Sequence, residues 1–406
     1  MGLDNIVIVG ASLAGLRAAE ELRNLGHVGG LTIVGDEPHR PYDRPPLSKQ
    51  VLAGAKPPES TALAVSRGTL DDLALDWRLG ESATGLDLKG RSVLLAGGER
   101  LRYDGLVIAT GASPKRLPGT DHLDNVHTLR TLDDCEAIRA ALEASPRRVA
   151  VVGAGFIGAE VAATCRGLGI EVSMIEALPV PLERGLGPAM GSVVADLHRD
   201  HGVDVRLGVG VVLIEGSDHA ERIRLTDGTV LDVDLVVIGI GVSPNTAWLE
   251  DSGLTLDNGV LCDATCAAAP GVVAAGDVAR WTNVRFGAVM RIEHWDNAIA
   301  MGTHAAHTLV AGSTEAEPYT PVPWFWSDQY DRKIQLAGLA GPDDTVQVVS
   351  GSVEERRFVA FYGRAGRLVG VLGMSQPAKV MRWRALVDQG VTWDEALAAV
   401  AQDAAG

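Results

Sequence analysis

Basic residues are in short supply: 36 Lys and Arg stand against 52 Asp and Glu in 406 residues, a formal charge of −16. Such a balance repels phosphate backbones and anionic membranes at long range, which argues against nucleic acid as a partner. Cysteine is scarce as well. Cys135, Cys165, Cys262 and Cys266 form neither a C-x-x-C pair nor two metal-ligand pairs, so we expect four free thiols, a reducing compartment and no metal site. No apolar run approaches the roughly eighteen residues of a membrane-spanning helix. The start Met1-Gly2-Leu3-Asp4-Asn5 lacks the basic region of a secretory signal, and Ile6 stands where a myristoylation signal needs Ser or Thr. A cytoplasmic protein without membrane contact is the expectation. The 48 Gly and 19 Pro follow no period, and 46 % of residues are apolar, which excludes collagen-like or disordered chains and suffices for two or three domains.

The chain repeats itself. Ile6-Val7-Ile8-Val9 reads as a buried strand, followed by the turn Gly10-Ala11-Ser12-Leu13-Ala14-Gly15 and a helix to about Leu25. Val149-Ala150-Val151-Val152 is followed likewise by Gly153-Ala154-Gly155-Phe156-Ile157-Gly158 and a helix to about Leu168. Each helix ends near a glycine, Gly26 or Gly169, and leads to another apolar strand, Leu31 to Val34 and Glu171 to Ile175. Both strands finish at an acid. Asp36 lies 26 residues after Gly10 and Glu176 lies 23 after Gly153, close to the spacing of an acceptor for ribose hydroxyls. Glycine lets backbone approach a pyrophosphate, and the helix N-terminus offers it unsatisfied N–H donors. One glycine turn has a purely steric explanation, but the whole pattern occurring twice points to two dinucleotide sites. Ser12 replaces the usual second glycine, so the first turn is expected to hold its ligand slightly differently.

Further strand exits echo each other: Leu106 to Ile108 before Ala109-Thr110-Gly111, Leu235 to Ile238 before Gly239-Ile240-Gly241, and Val272-Val273-Ala274-Ala275 before Gly276-Asp277. The economical assembly is an α/β protein of two Rossmann-like dinucleotide-binding domains, one at 1–113 and 245–320 and interrupted by the other at 114–244. A C-terminal α+β domain at 321–406 has strand-like segments at Gln335 to Leu339, Thr345 to Val349, Phe358 to Tyr362 and Leu368 to Leu372, then a Trp-bearing helix.

These turns, together with Arg40-Pro41-Tyr42-Asp43-Arg44-Pro45-Pro46-Leu47-Ser48-Lys49, Glu293-His294-Trp295 and Pro323-Trp324-Phe325-Trp326-Ser327-Asp328-Gln329-Tyr330, carry a resemblance that spans nearly the whole chain. It resembles the oxygenase-coupled NADH:ferredoxin reductases of the putidaredoxin reductase type, within the glutathione-reductase structural class. The Pro-Pro-Leu-Ser-Lys and Trp-Phe-Trp-Ser-Asp-Gln segments are more specific than the glycine turns, because the wider class lacks them. The resemblance implies that the first turn, with Gly10, Ser12, Ala14, Gly15 and Asp36, holds FAD, and that Arg44, Lys49, Ala83, Thr110, Gly111, Arg130, Gly276, Asp277, Glu293 and Trp295 also fall at FAD positions. It implies that Gly153, Gly155, Phe156, Ile157, Gly158, Glu160, Glu176, Gly239 and Gly241 serve NADH. Arg130 alone would read as a surface charge and Trp295 alone as a core aromatic.

Lys49 and Glu160 carry a catalytic expectation. Hydride transfer builds negative charge on a flavin, which an ammonium near the ring would stabilise, and Glu160 would keep that ammonium charged. Outside this motif the two would read as a solvated lysine and a glutamate serving a helix dipole. Glu176 favours NADH, since a carboxylate accepts from a free 2′-hydroxyl and repels a 2′-phosphate, and residues 177 to 183 contain no Arg or Lys. Arg184, just beyond, is a candidate contact for the adenosine portion and leaves room for residual NADPH use.

Thiol-coupled relatives need sulfur beside the flavin, and no cysteine lies in the first turn, its helix or the loop from Glu37 to Lys49. The expected outlet is therefore a [2Fe-2S] ferredoxin supplying a cytochrome P-450 or a Rieske dioxygenase. An NADH-responsive flavoprotein sensor and a thiol-independent NADH oxidase are the rival readings. Between Trp324 and Arg384 nine basic residues face six acidic ones, so an acidic ferredoxin is expected to dock there on a local positive patch, near Trp324 and Trp326.

Overall fold

The computed structural model describes residues 3–312 and 314–405, so Met1 and Gly2 of the chain start lie outside the described residues. Contacts concentrate in two compact units. The first is Met1–Asp43, Glu59–Ser113 and Val242–Pro321, and the second is Arg44–Pro58, Pro114–Gly241 and Val322–Gly406.

The first unit is built on a six-stranded sheet in the order 267–269, 272–274, 105–108, 5–9, 30–35, 76–79. All its neighbouring pairs are parallel except the outermost, 267–269 with 272–274. Strands covered on both faces must be apolar throughout, which is why Ile6 to Val9 form an unbroken run and all four are buried. Helix Leu13–Asn24 lies beside helix Trp295–Ala311, and they approach so closely that a Cβ on Gly302 would lie 2.4 Å from the Ala14 carbonyl oxygen.

In the second unit a five-stranded parallel sheet runs 204–207, 171–176, 148–152, 235–238, 126–128, with helix Phe156–Gly167 after its central strand. A small antiparallel sheet at 211–215, 222–225 and 230–232 and a larger one, ordered 324–329, 332–338, 367–374, 357–364, 345–352, belong to the same unit. The inner face of the larger sheet shares a core with helix Glu183–Asp200, where Leu186, Val193 and Leu197 meet Phe325, Ile334, Phe358 and Met374. Tyr362 adds a buried hydrogen bond, its hydroxyl donating to the Leu186 carbonyl at 2.7 Å. This shared core is the reason 322–406 groups with 114–241. Segment 44–58, which the sequence boundaries leave with 1–113, also belongs here, since the Cys135 thiol donates to the Leu47 carbonyl and the Thr164 hydroxyl to that of Ser48.

Within the C-terminal stretch 321–406 two elements were not foreseen: strand Trp324–Gln329 and a last helix, Trp393–Ala405, beyond the Trp-bearing helix Pro377–Gln389. Among the described residues no helix is long and apolar enough to cross a membrane.

Fully buried His198, near the end of helix Glu183–Asp200, has its pKa lowered to about 4 by burial. The unfolded chain then binds a proton that the folded one refuses, so this contribution to stability is whole above pH 6.5 and shrinks as pH falls toward 4, by about 3 kcal/mol. Urea unfolding between pH 7 and 4 should show that decline, and a His198→Gln variant should lose His198's share of the slope.

Candidate active site

Parallel strands in register bring their exits to one edge, where α/β sheets hold ligands. In the first unit Val9 pairs with Val34 and Ile108, and Ile108 with Ala274. Gly10, Asp36, Thr110, Gly111, Gly276 and Asp277 therefore leave the sheet side by side. Gly10 has φ +125°, and a Cβ there would lie 2.0 Å from the Ala109 carbonyl oxygen; on Gly15 it would lie 1.9 Å from that of Gly10. Ser12 stands at the helix N-cap position without a side-chain capping hydrogen bond, at φ −113° and ψ −161°, a conformation open to any residue. The Ala14 carbonyl faces Gly302 in the helix crossing, and the Ala14 Cβ lies 3.0 Å from where a Cβ on Gly276 would stand.

The remaining candidates of this unit lie around that edge. The Thr110 hydroxyl donates to the Asn245 carbonyl at 2.9 Å, and the Asn245 amide donates back to Thr110 at 2.8 Å. The Glu81 N–H donates to the Gly35 carbonyl at 2.9 Å, which starts strand Ala83–Asp87 beside the Asp36 exit. The Trp295 indole N–H donates to an Asp43 carboxylate oxygen at 2.6 Å. Exposed Glu293 pairs with Arg291 at 2.7 Å, and Arg291 donates to the Asp277 carbonyl at 3.0 Å.

The second unit repeats the edge. Val152 pairs with Ile175 and Ile238, so Gly153, Glu176, Gly239 and Gly241 cluster at its exits. A Cβ on Gly153 would lie 2.4 Å from the Gly239 carbonyl oxygen, and on Gly158 it would lie 2.1 Å from that of Gly153. Gly155 is different: it is extended (φ −72°, ψ −179°) and a Cβ there has only the Gly239 oxygen at 3.8 Å. Its glycine answers to no packing constraint, which leaves open space where a ligand's phosphates would approach. Glu176 is held by the turn itself, its oxygens accepting from the Ala154 N–H at 2.8 Å and the Leu178 N–H at 2.9 Å. The two acids are not equivalent. By register Gly35 matches Glu176, and Asp36 falls one residue later with an exposed side chain. Arg184 is exposed at the start of helix Glu183–Asp200, exposed Ile157 and half-buried Phe156 open helix Phe156–Gly167, and the Arg44 guanidinium donates to the Arg130 carbonyl at 2.7 Å.

Lys49 and Glu160 meet inside this unit. The 3₁₀ turn Pro45–Ser48 delivers Lys49, whose ammonium donates to Glu160 Oε2 at 2.6 Å and to the Pro45 carbonyl at 3.0 Å. The ion pair is nearly dry, with the side chains 11 % and 5 % exposed. Ser48 donates to the same Oε2 at 2.5 Å and Ser327 to Oε1 at 2.7 Å. Ser48, Ser327 and Gln329 stand in the sequence motifs without an assigned role; for Ser327 and Gln329 the signal is polar residues alternating with aromatics on a strand whose inner face is buried.

Sulfur chemistry has no purchase. All four cysteines are free and buried, and burial lifts the thiols of Cys135 to about 11 and of Cys165 and Cys262 to about 12, with Cys266 well above its usual value. The expected basic patch is not a bare positive face. Arg332, Lys333, Arg356, Arg364 and Arg382 pair with Asp331, Asp328, Asp200, Asp344 and Asp403. Over 322–406 ten acidic residues offset nine basic ones.

Residues 4–302 match the pyridine nucleotide-disulphide oxidoreductase family and 324–404 the reductase C-terminal family. Rhodocoxin reductase of Rhodococcus erythropolis is 38 % identical over 386 residues, covering 94 % of this chain and 89 % of its own. The ferredoxin–NAD(+) reductase component of the p-cumate 2,3-dioxygenase system of Pseudomonas putida is 38 % identical, covering 83 % and 82 %. The crystal structure of the covalent putidaredoxin reductase–putidaredoxin complex contains a chain similar over 99 % of both, with TM-score 0.91 and 32 % identity.

The glycines of the second turn can be separated by experiment. Gly158→Ala should lower the unfolding free energy by about 1–3 kcal/mol, since backbone must give way. Gly155→Ser, which copies Ser12 at a position whose backbone is extended and whose surroundings are open, should leave stability within about 1 kcal/mol and weaken NADH binding several-fold. Urea melts and NADH titrations read the two effects independently.

Proposed function

We propose, from the premise that the chain belongs to the pyridine nucleotide-disulphide oxidoreductase family and within it to the ferredoxin reductases, that it is an FAD-dependent NADH:ferredoxin oxidoreductase. It passes electrons from NADH to a [2Fe-2S] ferredoxin that supplies a cytochrome P-450 monooxygenase or a Rieske dioxygenase. The observation that carries this reading is two glycine-lined strand edges in one chain whose every cysteine is free and buried. Two dinucleotides are accommodated, and electrons leave without a thiol pair.

When bound, FAD supplies the exchange between two-electron hydride entry and one-electron exit. The chain's own residues bind and orient. In this reading 1–113 and 245–320 form the FAD domain, with Gly10, Gly15, Asp36, Thr110, Gly276 and Asp277 at its cradle. Residues 114–244 form the NADH domain, with Gly153, Gly155, Gly158 and Glu176 at its own, and 321–406 the C-terminal domain. Close backbone at Gly10 and Gly153 keeps each cradle tight, and the open position at Gly155 admits phosphate oxygens to the helix N-terminus. Glu176, fixed by two backbone N–H groups, presents its remaining lone pairs to the ribose and its charge against a 2′-phosphate. Lys49 offers an ammonium to the negative charge that hydride transfer builds, and Glu160 orients it. Four free, buried thiols support a cytoplasmic setting.

NADH should drive rapid reduction of a [2Fe-2S] ferredoxin by the purified yellow protein; NADH oxidation with negligible ferredoxin reduction would favour the sensor or oxidase reading. NADH should exceed NADPH in kcat/KM, and Glu176→Gln should narrow that gap by about 1–3 kcal/mol. Lys49→Met should slow stopped-flow flavin reduction by NADH at near-normal flavin content, and an unchanged rate would remove Lys49 from the mechanism.

A further inference from the structure

Glu160 is the end of a longer buried chain that lies wholly within the second unit. Ser327 donates to Glu160 Oε1 at 2.7 Å and accepts from the Gln329 side-chain amide at 3.1 Å. Gln329 Oε1 lies 3.1 Å from His198 Nε2, and His198 Nδ1 lies 2.8 Å from the Tyr330 hydroxyl. Ser327, Gln329 and His198 are fully buried. Tyr330, half-buried, stacks on His201 with centroids 3.6 Å apart and planes within 7°.

The anion at one end fixes every proton in this chain. A carboxylate paired with an ammonium only accepts, so Ser327 must give it its single proton. The serine oxygen must then accept, which turns the Gln329 NH₂ toward it and the carboxamide oxygen toward His198. His198 must answer with Nε2–H, leaving Nδ1 to accept from Tyr330. Burial keeps the ring neutral, with its pKa near 4, so one nitrogen is a donor and the other an acceptor. All four hydrogen bonds thus point the same way, toward Glu160, and each polarises the next. The carboxamide of Gln329 transmits orientation but passes no proton, so the chain is a clamp rather than a proton path.

We propose that Ser327, Gln329, His198 and Tyr330 are positioning residues for the Lys49–Glu160 pair: a one-way hydrogen-bond chain that holds the Glu160 carboxylate in the orientation from which it directs the Lys49 ammonium. The proposal rests on the reading of that pair as part of the hydride-transfer site. Strand Trp324–Gln329 supplies two of the four links because its alternation sends Phe325, Ser327 and Gln329 inward while Trp324, Trp326 and Asp328 stay partly exposed.

Two measurements on the full holoprotein test it. Ring ¹⁵N spectra at pH 7 should show His198 protonated at Nε2 alone, a tautomer that Tyr330→Phe, which removes one half-buried hydroxyl at the far end, should retain and that Ser327→Ala, which cuts the link to Glu160, should turn into a mixture. In stopped flow, Ser327→Ala, which loses one hydrogen bond to a charged group, should slow flavin reduction by NADH about tenfold, and Gln329→Leu, which loses neutral hydrogen bonds, several-fold, with NADH affinity unchanged. Tyr330→Phe should give a smaller loss, and in a Lys49→Met background Ser327→Ala should add nothing. Wild-type rates in Gln329→Leu and Tyr330→Phe beside a slow Lys49→Met overturn the chain. A wild-type rate in Lys49→Met overturns instead the site reading on which it rests. An Nδ1-protonated His198 in the parent protein overturns the chain whatever the rates.

Discussion

A single buried carboxylate organises the second unit. Glu160 accepts from Lys49 and Ser48 of segment 44–58 and from Ser327 of the C-terminal sheet, while its own backbone lies in the helix that follows the second glycine turn. Three stretches far apart in sequence converge on two oxygen atoms. Burying a charge costs several kcal/mol unless it is paired and its remaining lone pairs are satisfied, so the donors have to arrive together. An ion pair of this kind need not add net stability, because the cost of desolvating both charges offsets their attraction, but removing one partner would leave the other charge buried and unpaired.

That convergence explains what the sequence made legible and what it concealed. The parallel sheets were readable because buried strands are continuous apolar runs and their glycine exits recur, and the segments 6–9, 149–152, 106–108 and 235–238 all lie within observed strands. Strand Trp324–Gln329 was hidden because its inner face mixes Phe325 with Ser327 and Gln329, polar residues made acceptable in a core only by Glu160 and His198. Local pattern holds no record of partners more than a hundred residues away. The offset of Asp36 from Glu176 escaped for a related reason, since spacing along the chain does not reveal register across a sheet.

Charge shows the same limit. Counting nine basic against six acidic residues over 324–384 suggested a positive face, yet Arg356 is answered by Asp200 and Arg382 by Asp403, both outside the counted window. The field of a surface is set by neighbours in space. What survives is that 322–406 is close to neutral in a strongly acidic chain, so an acidic partner meets less long-range repulsion there than a uniform spread of charge would give.

The two glycine turns also separate what a fingerprint joins. At its first and last positions glycine is imposed by the fold: Gly10 and Gly153 adopt positive φ against a neighbouring strand exit, and Gly15 and Gly158 let helix and strand backbones touch. At the middle position the backbone is ordinary and the space open, so nothing within the unit demands glycine, and Ser12 folds as readily as Gly155. The outer glycines therefore report the fold and the middle one reports the ligand. A turn that keeps the outer pair and varies the middle has kept its architecture while changing how closely a phosphate can approach. By that criterion the two turns share one architecture and differ at the position where a ligand would approach.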